Sequence, residues 1–293
     1  MWLPWQYSLW LAAASAVIAV GLRVRTPPQR WIWARELARE TAVFATLYTI
    51  WQRVGQLPAS NDAVRAAQRG TAIAHLEHVL RLPSESWTQR LALHSHLVIE
   101  GANWYYIVGH TPVLAVFLVW LYLRHRSDFA RWRTVLAISC ITGELIQIVP
   151  VAPPRLALNG VIDTGQVFGP AVYESDGAGL APQLAAMPSL HCVWAATTGL
   201  AVFLIVRSRW RWLGPAHVVI TILIITITGN HYWLDAAAGI ALVLSGLAVY
   251  DGSAYLRRRW TRRRAARPSS VTPELLDAGT EPAEATPAIG IGP

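Results

Sequence analysis

"MPSLHCVWAATTGLAVFLIV", residues 187–206, places a Pro-Ser-x-His cluster at the head of an uncharged apolar run. At ~1.5 Å per helical residue such a run covers most of the ~30 Å hydrocarbon layer of a bilayer. It reads as a membrane span over 188–206. Pro188 and Ser189 suit a helix start, which puts His191 in the first turn. A histidine at the edge of a span needs a chemical reason.

The rest of the chain has the same character. It is 54% hydrophobic and only 14% charged, against about a quarter charged in an ordinary soluble domain. Apolar runs at 3–22, 37–54, 104–123, 134–150, 188–206, 213–229 and 233–250 are candidate spans. The segment 37–54 is the weakest, with Glu40 and Arg53 at its ends. The fold class is all-α, a polytopic transmembrane helix bundle of six or seven spans. Residues 55–103 mix charge with apolar positions and read as amphipathic helices at the interface. Pro112 is expected to kink the third span near its start. The organisation is N-terminal spans and interfacial region over 1–99, a transmembrane core over 100–252, and a basic then disordered tail over 253–293. The Pro-, Ala-, Glu- and Thr-rich part from Pro268 is the disordered portion.

All 25 basic residues are arginine. The absence of lysine excludes a lysine nucleophile, a Schiff base and a phosphate-loop lysine, and leaves arginine as the permanent cation for phosphate. The net charge of +8 reads as topology, with no nucleic-acid partner. Nineteen of the 25 arginines lie in 23–39, 124–133, 207–211 and 257–267, all on one side if seven spans alternate. Basic loops favour the cytoplasm. The N-terminus is then outside, the C-terminus cytoplasmic, and loops 151–187 and 230–232 outside, in a plasma-membrane protein. The first span, with arginines after it and none before it, reads as retained rather than cleaved. The arginine run at 257–267 suits anionic lipid. Cys140 and Cys192, both in apolar runs, read as free buried thiols.

Three polar clusters converge on the outer layer of this topology. "VAPPRLALNG" carries Arg155, "MPSLH" carries His191, and "TGNHYWLDAAAG" carries His231 and Asp235. The H-x-x-x-D spacing puts His231 and Asp235 one helical turn apart on one face. The carboxylate can then hold one imidazole nitrogen and leave the other free to attack. A helix N-terminus attracts an anion, and an arginine fork matches two phosphate oxygens. Two histidines, an aspartate, an arginine and a helix N-terminus suit phosphoryl transfer through histidine.

On these residues the chain resembles the type 2 phosphatidic acid phosphatase superfamily. That family carries P-S-G-H and S-R-x-x-x-x-x-H-x-x-x-D, with K-x-x-x-x-x-x-R-P upstream. The P-S-L-H of 188–191 and the H-Y-x-x-D of 231–235 look closer to its phosphotransferase branch, the inositol phosphorylceramide and sphingomyelin synthases. The resemblance spans roughly residues 100–250. It implies that His231 forms a phosphohistidine, that Asp235 orients it, and that His191 protonates the leaving oxygen and later takes the acceptor's proton. It implies a membrane lipid substrate, possible inositol-phosphate transfer, and no cofactor or metal. The chain departs from the pattern at Ile225, where the family has an arginine, and at Pro154-Arg155, where the family has R-P after a lysine. A non-catalytic lipid-binding or transport protein of the same fold is the alternative. An intramembrane protease using Ser189 lacks a Gly-x-Ser elbow.

Other polar residues carry two readings each. Asn103, Tyr106 and His110 share a helix face at i, i+3 and i+7 and either line a substrate pocket or belong to an aromatic interface belt. Asp163 either binds a polyol head group or closes a turn. Glu144, inside the fourth span, needs a partner. The pairs His75/His78 and His94/His96 lack the cysteines or carboxylates of a metal site.

Overall fold

The computed structural model describes residues 4–24, 31–54, 63–170 and 183–265, and these are helical with no strand, apart from one isolated bridge between Val151 and Ala185. The chain divides into two compact units, Met1–Tyr250 and Asp251–Pro293. In the second unit the described residues, 251–265, are helical. The tail from Pro268 lies outside the described residues. Among the described residues four helical stretches are long and apolar enough to cross a membrane: Trp5–Arg23, His96–Arg124, Arg209–Ile227 and Trp233–Arg263. Leu190–Ile205 is apolar but shorter.

Helices α1 (Trp5–Val24) and α2 (Ile32–Val54) pair, with the hydroxyls of Ser8 and Thr49 2.8 Å apart at their contact. The charge that weakens α2 as a span is not left bare. Glu40 is buried and accepts from Arg133 of α7 (Arg126–Gln147) at 2.6 Å. Such pairing is what makes a carboxylate tolerable in an apolar layer.

The 55–103 region contributes α3 (Ala63–Val79) and α4 (Glu85–Leu93). Ser84 caps α4 by accepting from the Trp87 amide, which satisfies one of the donors a helix start leaves open. Gln89 of α4 acts as a staple. Its amide nitrogen donates to the carbonyls of Ile162 and Ile227 at 2.9 and 3.0 Å, and its oxygen accepts from the Ile162 amide at 2.9 Å.

Helix α5 (His96–Trp104) runs through a π turn at Tyr105–Gly109 into α6 (His110–Arg124). Pro112 has no N–H for the carbonyl four residues back, so the regular ladder loosens there and the wider turn sits just before it. Two short helices, α8 (Pro154–Ala157) and α9 (Thr164–Phe168), follow α7. Then come α10 (Leu190–Ile205), α11 (Leu213–Ile227) and α12 (Trp233–Ala265).

Phe117, Leu121, Phe129, Trp132 and Ala201 form one core cluster, and Val135, Leu136, Val193, Ala196 and Val243 another. Between helices in a bilayer the tails are as apolar as leucine, so close packing decides association. Gly199 and Gly214 supply it. A Cβ on Gly199 would stand 2.6 Å from the Gly214 carbonyl oxygen, so α10 and α11 cross backbone against backbone.

The start of α12 is pinned from α3. Glu77, 2% exposed, accepts from the Leu234 amide at 2.7 Å through Oε1. Its Oε2, and Oε1 of the buried Glu85, have no hydrogen-bond partner among the described residues. Burial first, and then the neighbouring Glu85, push the Glu77 carboxyl up to about 9 from an ordinary 4.5. Between those values the folded chain holds a proton that the unfolded chain has lost. Stability therefore falls as pH rises from about 4.5 through about 9. Glu77→Gln keeps an oxygen for Leu234 and offers Glu85 an amide donor. It should flatten the alkaline loss, read as the thermal midpoint in detergent between neutral and mildly alkaline pH. An equal alkaline loss in wild type and variant would contradict this account.

Candidate active site

The segment that carries His231 is set by the end of α11. Gly229 has φ +74°, and the Asn230 and Gly229 amides donate to the carbonyls of Ile225 and Thr226 at 3.2 and 3.0 Å. This pair of bonds is a Schellman stop, which favours glycine at the left-handed position. A Cβ there would also stand 2.8 Å from the Ile162 carbonyl oxygen. The Gly229 carbonyl in turn accepts from the Arg155 amide at 3.0 Å. One glycine thus places both His231 and Arg155.

His231 is not on the following helix, as the H-x-x-x-D spacing suggests. Helix α12 starts at Trp233, and Asp235 sits in its first turn with its carboxylate folded back. Oδ2 accepts from the Tyr232 amide at 2.9 Å and lies 3.3 Å from His231 Nδ1. A side chain reaching back from the third helical position to cap the start is half of a capping box. The pairing of His231 with Asp235 holds, through a cap instead of a shared face. His231 Nδ1 also lies 2.9 Å from the Ala186 carbonyl oxygen. A carbonyl can only accept, so Nδ1 carries the proton and Nε2 presents its lone pair.

That lone pair faces His191, whose Nδ1 is 3.3 Å from His231 Nε2. His191 lies in the first turn of α10, where Ser189 is fully buried and caps the helix by accepting from Cys192 N. The Ser189 hydroxyl is therefore a structural cap. The Ser189 amide donates to the Asp235 carbonyl at 3.1 Å. Gly239 permits this approach, because a Cβ there would stand 2.6 Å from the Ser189 carbonyl oxygen. The His191 ring is flanked by those of Tyr106 and His110, with centroids 4.6 and 4.7 Å away.

Arg155 is buried and donates through Nε to Asp163 Oδ2 at 2.7 Å, with Gln183 at 3.4 Å from Nη2. Asp163 caps α9 by accepting from the amides of Gly165 and Gln166. It closes a turn and also engages the arginine, a role absent from both readings of the sequence. Asn103 donates to the carbonyls of Thr164 and Gly169, tying α5 to the same segment. Burial is the main cause that pushes the His231 imidazole down to about 4; the Ala186 hydrogen bond opposes the shift and the Arg155 charge adds to it.

The structure thus brings His191, His231, Asp235, Tyr106 and His110 together, with Arg155 and Asp163 on the adjoining segment. His94 and His96 are taken up elsewhere, by the Arg90 carbonyl and by Glu100. Glu144 is buried within α7. Sequence reasoning missed Glu77 and Gln89, whose partners lie 157 and 73 or more positions away, and the contact of the Tyr105 hydroxyl with His217 Nδ1 at 2.9 Å. None of these has a local spacing that would reveal it.

The family model described as PAP2 superfamily matches residues 71–249, more than half of the chain. The chain belongs to the PAP2 superfamily, and with it to a class of phosphatases and phosphotransferases acting on lipids. The match begins within α3, so α1 and α2 lie outside it. Neither the comparison with curated proteins nor that with solved structures gives a match.

Two pH and mutation effects follow. With its imidazole pushed down to about 4, His231 stays neutral at ordinary pH. Turnover limited by its lone pair should therefore fall only as pH drops through about 4, not through the usual histidine range. Asp235→Asn should cut the rate ~100-fold or more while lipid affinity stays within a few-fold, because the acidic side chain that orients the ring is replaced by an amide while the binding surface is unchanged. Measuring kcat and lipid Kd on the same preparation separates the two.

Proposed function

We propose that the chain moves a phosphoryl group from a membrane lipid to an acceptor hydroxyl by way of a phosphohistidine on His231. The observation that carries this reading is the forced tautomer of His231, protonated at Nδ1 by the demand of the Ala186 carbonyl, with Nε2 turned toward His191. In the first step Nε2 forms a bond to phosphorus, the bond to the lipid oxygen breaks, and that oxygen takes a proton from His191. In the second step the acceptor oxygen bonds to phosphorus, its proton goes to His191, and the electron pair of the broken P–N bond returns to Nε2. Acid–base help of this kind is worth ~100- to 10,000-fold.

The acceptor decides between hydrolysis and transfer. The Arg155–Asp163 pair favours transfer of a diester group such as inositol phosphate, because a monoanion asks less of a cation that a carboxylate already engages. The site faces the outside of the plasma membrane, with α1, α2, the α5–α6 helix, α7, α10, α11 and α12 as seven crossings. The arginine asymmetry supports this orientation, and it leaves the basic end of α12 at the anionic cytoplasmic leaflet.

Lipid carrying a radiolabelled phosphate should leave an acid-labile, base-stable label on the wild type. His231→Ala should leave none, and His191→Ala should lose most turnover while still inserting and folding. Equal labelling of wild type and His231→Ala would end this mechanism. Orientation has its own test, in a background without Cys140 and Cys192. A thiol at the exposed Asn159 should react with an impermeant reagent on intact cells, and one at the exposed Ser208 should not. The neighbouring Gly160 is avoided because its φ of +84° disfavours cysteine. The reverse pattern would put the chemistry in the cytoplasm.

A further inference from the structure

The site contains a third histidine that the two-histidine mechanism does not use. His110 is 4% exposed, and its Nε2 is buried with no hydrogen-bond partner among the described residues. Its ring stands 4.7 Å from that of His191, and the Tyr105 ring meets it edge-on at 4.7 Å on another side. Leaving a buried polar nitrogen without a partner is costly, and such a group is an exception that needs a reason. The π turn at Tyr105–Gly109 leads directly into His110, and turns of this kind gather at functional sites.

Among the described residues, the side chains of Arg155 and Ile225 offer little further to an anion. Arg155, whose charge reaches His231, is already held by Asp163 and Gln183. Ile225, at the end of α11, is fully buried in an apolar cluster with Tyr106, Cys192 and Ala236, and offers nothing to phosphate from its side chain. A phosphoryl group between His231 Nε2 and His191 Nδ1 would carry oxygens that need donors in a layer where water is scarce.

We propose that His110 is a phosphate-binding residue of this site, its Nε2–H donating to a non-bridging oxygen of the phosphoryl group held between His191 and His231. The inference rests on the phosphoryl-transfer reading above and adds the ligand contact that reading leaves open. Donation to the phosphoryl oxygen leaves His191 alone to handle the proton. It also gives the unpartnered nitrogen its partner only when substrate is present.

The test uses orthovanadate, a phosphoryl analogue, titrated onto the detergent-purified full chain and followed by calorimetry. His110→Phe keeps a ring of similar size without a donor, and His110→Gln places an amide N–H near the position of Nε2. The Phe variant should bind vanadate ~10- to 100-fold more weakly, the range for a hydrogen bond to a charged group. The Gln variant should recover most of that loss, and both should melt near the wild type. Wild-type affinity in His110→Phe would overturn the proposal. So would a loss in His110→Gln as large as in His110→Phe, since restoring an N–H donor near the position of Nε2 would then restore no binding. Failure of the underlying reading is distinct: wild type and His231→Ala would bind vanadate equally, or neither would bind it, and the proposal would fall with that reading.

Discussion

Asp235 registers the two histidine-bearing segments against each other. Its carboxylate caps the start of α12 at Tyr232 and lies against His231, while its backbone carbonyl accepts from Ser189, the cap of α10. One fully buried residue therefore fixes the entry to α12, the ring of His231, and the position at which α10 begins. Buried as they are, these groups are satisfied by one another. The capping geometry and the geometry of the histidine pair are consequently one arrangement: a shift that spoiled the caps would also separate His191 from His231.

The segments around this centre are held mainly by backbone groups. Gly229 ends α11 and hands its carbonyl to Arg155; Gln89 bonds to both Ile162 and Ile227; Tyr232 donates to the Ala152 carbonyl at 3.1 Å. Gly70 makes room for that last contact, since a Cβ there would stand 2.6 Å from both Ala152 O and the Tyr232 hydroxyl. Among the described residues between α7 and α10, the backbone at Pro150, Ile162, Thr164 and Gly169 meets the side chains of Arg69, Gln89 and Asn103. That is the contribution of α3 and α4: they supply partners to the segments around the site.

This division explains what was legible in the sequence. His191, His231 and Asp235 lie in short motifs within one turn of a helix start, and the structure brings the three side chains together. The apolar runs likewise marked α1, α5–α6, α11 and α12, because bilayer thickness dictates their length. The capping role of Asp235 was hidden, since a spacing of four fits both a helix face and a fold-back onto Tyr232. Glu77, Gln89 and His217 were hidden for another reason. Each meets its partner across the bundle, and nothing in its immediate neighbours distinguishes it from an ordinary polar residue on an amphipathic or apolar helix. Asp163 read as a lone turn residue because Arg155, eight positions earlier, comes to it only through the fold.

The crossing of α10 and α11 at Gly199 and Gly214 has a consequence for how freely those two helices can move. Backbone meets backbone there, with the Val218 side chain packed against the same spot. A seam closed this tightly leaves the two helices little room to shift against each other. On the flank of the α5–α6 stretch, by contrast, the contact to α10 runs through side chains, with the Tyr106 and His110 rings against that of His191.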